Sequence, residues 1–465
     1  MSSAADPPPS GSGLSARPAD PYRVGAPADP HAAIAATAGG VADGGLVTAD
    51  GRPLKSALAR AGARSRRRAF LLVLPLLAFV LLTFVAPIGQ MLWRSVTDPR
   101  FIEYTDVVTG ETTPVMTGLR AWFDDNPPGT EPDEDAYAAL VADLKVLREL
   151  RAQGNVGTRI NYDAPGSRSL FTSTTRRAER LEPPYREALL DLDEDWGDPA
   201  LWQAMRSASD RFTAAFYLSA LDLQRGADGS IEGVGEDFAV YRMLFVRTLI
   251  LSVVITALTL LLGFPVAHLL ATLPLRYSNL LMIFVLLPFW TSLLVRTTSW
   301  IVLLQSQGVV NDLAVASGII EDTSRLQMIY NQTGTIVAMT HILLPFMILP
   351  LYSVMRPIPP SYVRAARSLG ATSWTAFRRI YLPQTVPGIG AGALLVFILA
   401  VGYYITPALV GGSDGQLISN LIAFHMQRSL NWSLAAALAA LLLAGVLILY
   451  WLYDRLVGID NLKLG

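Results

Sequence analysis

Six segments of this chain are long, strongly apolar and free of charged side chains. A transmembrane helix needs about 20 such residues to cross the hydrocarbon core of a bilayer. Only 16% of the residues are charged, whereas ordinary soluble domains carry roughly 25%. The pattern therefore predicts an all-α polytopic membrane protein. Its six transmembrane helices are expected at residues 69–93, 248–275, 280–295, 335–355, 388–409 and 434–453.

Basic residues flank these segments on one predicted side of the membrane. Because cytoplasmic loops are enriched in Lys and Arg, this bias orients the chain with both termini in the cytoplasm. Residues 1–60 are expected to be a disordered cytoplasmic tail, 61–93 a basic anchor with the first helix, and 456–465 a short cytoplasmic tail. The basic residues that follow the anchor and fall on the predicted cytoplasmic side include Arg276, Arg356, Arg364, Arg367, Arg378, Arg379, Arg455 and Lys463.

A large hydrophilic insert, residues 94–243, separates the first two apolar segments. It holds 16 basic and 27 acidic residues, a net charge of −11. Helical periodicity at 134–152 and 199–223 predicts a mostly helical lobe outside the membrane. Its acidic surface is explained by solvation alone, or by attraction of a cationic ligand or a basic partner.

Residues 244–455 form the predicted membrane core, with transmembrane helices two to six. The segment 299–320 is interrupted by glycine and polar residues, which favours an interfacial or re-entrant segment over a full span. The most distinctive part of the core is the polar, basic loop 359–387. Its proline and glycine spacing predicts two short helices ahead of the fifth span.

In the first of these short helices, Ser361 is a predicted N-cap and Gly370 a predicted end. The second is expected to have Ser373 as its N-cap and to close at Pro383 and Pro387. Helical spacing places Tyr362, Ala365, Ala366 and Leu369 on one face of the first helix. Helix caps and ends at such defined positions in a cytoplasmic loop indicate that another protein docks there.

The sequence also excludes several kinds of chemistry. It has no cysteine and four scattered histidines, so thiolate catalysis and a metal site are not expected. It lacks the G-x-x-x-x-G-K-[ST] loop with which many proteins bind ATP. The chain is therefore predicted to bind no cofactor, to have no catalytic residues and not to be an enzyme, and no nucleic acid partner is expected.

The loop resembles the EAA loop of binding-protein-dependent ABC importer permeases. Matching positions hold Ala365, Ala366 and Gly370, followed further on by Ile380, Leu382 and Pro383, while Arg364 replaces the family glutamate. The resemblance implies a type I importer permease fold in a bacterial inner membrane. It also implies that the loop couples the permease to an ATPase through Arg364, Ala365, Ala366, Leu369, Gly370 and Ala371.

The same resemblance implies the partners of the chain. They are an ATPase dimer that carries ATP and magnesium, a second homologous permease, and a periplasmic substrate-binding protein. Residues 286–311 and 401–422 look like spermidine/putrescine permeases. Importers of thiamine, ferric iron, phosphonate or opines have similar permeases, and a self-contained secondary transporter is the alternative from another class.

A substrate pathway is expected near the outer ends of the spans. Pro407 is predicted to bend the fifth span and to expose backbone carbonyls next to aromatic rings. The rings are explained by an interfacial aromatic belt, or by a site that holds an ammonium group through the rings and the carbonyls. Arg296 is explained by snorkelling to the interface or by a role in an external gate. The candidate pathway residues are Trp290, Arg296, Tyr403, Tyr404, Asp312 and Asp414.

Overall fold

A computed structural model of the chain describes residue 67 and residues 69–106, 108–225, 230–235 and 239–457. The predicted tail at 1–60, most of the basic cluster before the first helix, and residues 458–465 lie outside the described residues. Contacts divide the chain into two units, Met1–Ala86 and Pro87–Gly465. The described part of the first unit is helical and includes a π-helical turn at Leu81–Val85.

The secondary structure is dominated by helices, with two short antiparallel hairpins in the insert. The helices are α1 Ala69–Val96, α2 Thr117–Asp125, α3 Glu134–Leu150, α4 Gln153–Ile160, α5 Ser167–Thr175, α6 Tyr185–Leu192, α7 Pro199–Ser209, α8 Ala215–Ala220, α9 Tyr241–Thr272, α10 Leu275–Trp290, α11 Leu293–Leu304, α12 Val309–Ala316, α13 Gln332–Met355, α14 Pro360–Ser368, α15 Ser373–Gly402, α16 Ile405–Val410, α17 Ile418–Gln427 and α18 Trp432–Val457. The strands are β1 Glu103–Thr105, β2 Thr112–Pro114, β3 Leu223–Arg225 and β4 Ile231–Gly233.

Among the described residues, five helices are long and apolar enough to cross a membrane: α1, α9, α13, α15 and α18. The count rises to six if α10 and the segment Leu293–Ala316, which meet at an angle of 96°, form one broken span. The prediction of a helical polytopic membrane protein is confirmed. The third span itself was predicted wrongly, because α10 ends at Trp290 and the chain bends at Thr291 and Ser292 instead of continuing to residue 295.

Helix α13 lies at the centre of the membrane core, where α9 and α15 pack against it. Close approach of α15 depends on small residues. A Cβ atom at Gly392 would lie 2.7 Å from the sulfur of Met347, and one at Gly388 would lie 3.0 Å from Cβ of Val354. Glycine at these positions lets the backbones of two spans come close together.

The insert has an apolar core of its own, built from α2 to α7 around Tyr137, Phe171 and Trp196. The predicted helix at 134–152 is observed as α3. The predicted helix at 199–223 is instead divided into α7 and α8, because an extended segment follows Asp210 and the amide of Thr213 donates to the carbonyl of Val96 at 2.8 Å. This bond ties the end of the insert back to the end of α1.

The insert is also joined to the membrane core. Phe216 of α8 packs in one buried cluster with Leu244 of α9 and Leu438 of α18. The fully buried carboxylate of Asp222 accepts hydrogen bonds from the amides of Val240, Tyr241 and Arg242 at 3.1, 3.0 and 2.7 Å. It therefore caps the N-terminus of α9, where amide groups have no partner within the helix.

Candidate functional site

The loop between α13 and α15 contains one short helix, α14, and not two. Pro359 is its N-cap and Pro360 occupies the first helical position, so the predicted N-cap at Ser361 is wrong by two residues. Proline suits that position because its missing N–H would have no helical partner there. Thr372, and not Ser373, caps the next helix by accepting a hydrogen bond from the amide of Thr375 at 3.2 Å.

The predicted second short helix is the first part of α15. Pro383 and Pro387 were predicted to close it, and the structure contradicts this, since α15 continues through both to Gly402. A π-helical turn at Phe377–Tyr381 precedes Pro383, and the amide of Leu382 bonds to the carbonyl of Phe377, five residues back. The wider turn changes the hydrogen-bond register just before a residue that has no N–H to donate.

The end of α14 is formed as predicted. Gly370 has φ +90°, a left-handed conformation that favours glycine, and its amide donates to the carbonyl of Arg367 at 3.0 Å. The amide of Ala371 reaches back to the carbonyl of Ala366 at 3.1 Å. This closed turn fixes the direction in which Leu369 projects.

The apolar face of α14 points mainly outward. Leu369 is 89% exposed and Tyr362 51%, and Ala365 is exposed as well. The side chain that packs against the membrane core is Val363, which the sequence reasoning did not single out. The tip of the loop thus presents an apolar surface with Arg364 and Arg367 beside it, and Trp374 of α15 is also 68% exposed. Such a surface suits a protein partner.

The second candidate region is the break after α15. The helix ends at Gly402, and Pro407 lies in the separate helix α16, so Pro407 does not bend the fifth span as predicted. The break leaves the carbonyl of Tyr403 without a helical partner, whereas the carbonyl of Tyr404 accepts a hydrogen bond from the amide of Ala408 at 3.0 Å. They are not open to a ligand, because Ser419 donates to the first at 2.6 Å and Asn420 to the second at 2.8 Å.

The candidate pathway residues lie in separate parts of the structure. Arg296 lies on α11, beyond the bend, and its guanidinium interacts electrostatically with His341 of α13 and with Tyr403. His341 in turn accepts a hydrogen bond at Nδ1 from the indole of Trp300 at 3.1 Å. The Nε atom of Arg296 is buried without a hydrogen-bond partner among the described residues. Arg296 and Tyr403 therefore lie within electrostatic range of each other near the break.

The remaining pathway candidates do not join this group. Asp312 forms an ion pair of 2.8 Å with Arg325, which also pairs with Asp322 at 2.8 Å. The hydrogen bonds that Arg325 donates to these two carboxylates raise its pKa. Asp414 lies on an exposed turn, and the side chain of Trp290 is 88% exposed. Two of the carboxylates near the spans are therefore already neutralised by one arginine.

Sequence reasoning missed Ser419, Asn420 and Arg325. The first two lie in the segment 401–422 but carry no charge or periodic signal. Arg325 is separated from Asp312 by 13 residues, so no local pattern joins them. His341 was a detectable candidate, because an ionisable side chain within an apolar segment is expensive and marks a functional position.

Comparison with known proteins decides which family this architecture represents. The family described as "Binding-protein-dependent transport system inner membrane component" matches residues 238–458. The spermidine/putrescine transport system permease protein PotB of Haemophilus influenzae is 34% identical over 223 residues, which cover 48% of this chain and 77% of that protein. This chain belongs to the family of binding-protein-dependent ABC importer permeases.

A second relative agrees with this membership. The PotB protein of Escherichia coli K12 is 33% identical over 221 residues, covering 47% of this chain and 80% of that protein. A crystal structure of a bacterial ABC transporter that imports the acidic polysaccharide alginate matches with a TM-score of 0.38 and 21% identity, over 47% of this chain and 79% of that one. As a permease subunit, the chain is a multi-pass inner-membrane transport component and not an enzyme. The region that matches the family begins near the start of α9, so all but the last few residues of the insert lie outside it.

Proposed function

We propose that this permease carries a polyamine of the spermidine/putrescine class across the inner membrane. The observation that supports the proposal is the identity of 33–34% with PotB proteins over at least three quarters of their length. In this role the chain forms half of a translocation pathway with a second, homologous permease. A periplasmic binding protein delivers the substrate to the insert side of the membrane.

The energy comes from an ATPase dimer that docks on the tip of α14. Burying one exposed leucine such as Leu369 contributes about 1.5–3 kcal/mol, and the turn at Gly370 holds that side chain in a single direction. The basic residues of the loop support a cytoplasmic position for the loop and for both termini. ATP drives transport only if it binds more tightly to the outward-facing state than to the inward-facing state. Docking at α14 must therefore couple the conformation of the ATPase to that of the membrane spans.

The cationic groups of a polyamine need partners along the pathway. The exposed aromatic ring of Tyr404 and the half-buried ring of Tyr403 can attract an ammonium group by cation–π contact. Asp312 is already paired with Arg325, so it adds little attraction. The remaining positive charge of the polyamine must then be balanced by Asp414, by the partner permease or by the binding protein.

Uptake into proteoliposomes that contain the complete transporter tests this function. We expect ATP-dependent accumulation of labelled spermidine or putrescine that excess unlabelled polyamine abolishes. Thiamine and ferric iron, supplied at the same concentration, should not compete. Competition by either of them but not by polyamines would overturn the substrate class while leaving the permease role intact. Uptake without ATP by this chain alone would instead show a secondary transporter.

A further inference from the structure

A cavity of about 850 Å³ lies between α14 and the ends of two spans. It is enclosed by the last turns of α9 and α13, the loop that leads into α14, α14 itself and the first turns of α15. Its volume falls within the roughly 300–1,000 Å³ typical of ligand sites. Of the residues given coupling or pathway roles above, only Arg364 lines this space.

The lining of the cavity combines positive charge with apolar surface. Arg356 and Arg364 both line it, and no acidic side chain occurs among the lining residues. Nη1 of Arg356 donates to the carbonyls of Ala271 and Leu273 at 2.7 and 3.0 Å, which fixes that guanidinium at the end of α9. Val363 and Phe377 supply apolar walls. This combination suits a ligand with an anionic head and an apolar body.

Two buried polar atoms in the wall lack partners. The hydroxyl of Tyr381, whose side chain is only 7% exposed, and Nδ1 of His268 make no hydrogen bond among the described residues. Both side chains line the cavity, and their rings lie 4.9 Å apart in an edge-to-face arrangement. An unpaired buried polar group is costly, so a ligand that hydrogen-bonds to it gains affinity.

We propose that the cavity binds an anionic phospholipid, with its phosphate at Arg356 and Arg364 and its apolar part against Val363 and Phe377. Its position favours a lipid over a soluble anion, because His268 and Met355 belong to the last turns of apolar spans. Lipid head groups lie at that level of a membrane, and basic pockets between spans at the interface bind anionic head groups. The lipid would lie between α14 and the spans that α14 moves.

This site also gives a role to the residue that replaces the family glutamate. Arg364 lines the cavity, whereas Arg367, which is exposed on the same helix, does not. Mutation of Arg367 is therefore a matched control for mutation of Arg364. The inference does not depend on which solute crosses the membrane, and binding can be measured without transport.

The test is native mass spectrometry of the purified full chain, together with the subunits that co-purify with it. The probe is phosphatidylglycerol, and phosphatidylcholine is the uncharged comparison. We expect Arg364→Gln to reduce phosphatidylglycerol adducts about tenfold, since charge-assisted hydrogen bonds to phosphate are the strong ones. Arg367→Gln should change them little, and Arg364→Lys should retain part of the binding.

Tyr381→Phe provides a second variant that keeps the ring in place and removes only the unpaired hydroxyl. We expect it to weaken phosphatidylglycerol binding severalfold without loss of the folded protein. Equal losses in Arg364→Gln and Arg367→Gln would overturn the site, as would equal retention of phosphatidylcholine. Full displacement of the lipid by soluble glycerol phosphate would show that the head group alone is the ligand and would overturn the lipid assignment.

Discussion

Gly370 is the residue on which the shape of the tip of α14 depends most directly. Its φ of +90° is unfavourable for other residues, and its amide bonds to the carbonyl of Arg367. Gly370→Pro imposes φ near −65° and removes that amide hydrogen. We expect this variant to lose at least about tenfold of the co-purifying ATPase, because Leu369 no longer projects from a fixed turn.

Arg364→Ala is the matched comparison at the same tip. Arg364 is exposed and forms no ion pair among the described residues, so we expect a much smaller loss of ATPase co-purification and transport. Gly402→Ala controls for glycine replacement as such, because it has no positive φ and no atom within 4 Å of an added Cβ. Equal losses from Arg364→Ala and Gly370→Pro would contradict the assignment of docking to shape and apolar contact.

At the scale of elements, the broken end of α15 depends on α17. Asn420 donates to the carbonyl of Tyr404, and its Oδ1 accepts from the amide of Leu417 at 3.0 Å. Asn420→Ala leaves the buried amide of Leu417 without its acceptor, whereas the carbonyl of Tyr404 still accepts from the amide of Ala408 at 3.0 Å. One unsatisfied buried group costs about 1–3 kcal/mol, so we expect a lower thermal unfolding midpoint and slower uptake.

The thermal midpoint of the detergent-purified protein measures the effect, and Ser413→Ala is the control. Ser413 is exposed on the turn before α17, and its hydroxyl makes only a long bond of 3.4 Å to Asp414. A midpoint that stays unchanged in Asn420→Ala would show that water replaces the side chain and that the break is open to solvent.

The errors of prediction at this scale have one physical origin. Proline was taken as a helix end at Pro383 and Pro387, and as a kink at Pro407, yet α9, α10, α13 and α15 all contain an internal proline. Membrane helices tolerate proline because neighbouring groups and local π-turns satisfy the freed backbone atoms. Those compensating contacts are tertiary, so proline spacing alone could not distinguish a break from a continuous span.

At the scale of the whole molecule, the number and order of spans could be predicted because hydropathy is local. The exposed tip of α14 could also be predicted, since Gly370 and its neighbours lie within one turn. The contacts of the candidate pathway residues could not be predicted, because they join segments that are distant in the sequence. Arg296 and Tyr403 are far apart in sequence, and Asp312 was assigned to the pathway without knowledge of Arg325.

The attachment of the insert to the membrane core is another long-range feature, and it leads to a prediction about motion. The lobe meets α9 through the cap at Asp222 and through the cluster around Phe216. Two such contacts should hold the lobe in one orientation relative to α9. We expect a narrow distance distribution between spin labels at Glu187→Cys and Gln427→Cys, two exposed positions in α6 and α17.

The chain has no native cysteine, so these two labels report without background. Asp222→Ala removes the acceptor of three amide hydrogen bonds at the start of α9, and loss of such a cap costs about 0.5–2 kcal/mol. The distribution should therefore broaden in this variant but not in Asp210→Ala, which removes an exposed carboxylate of the same insert. A broad distribution already present in the parent protein would mean that the lobe moves independently. It would then act as a tethered module and not as a rigid extension of α9.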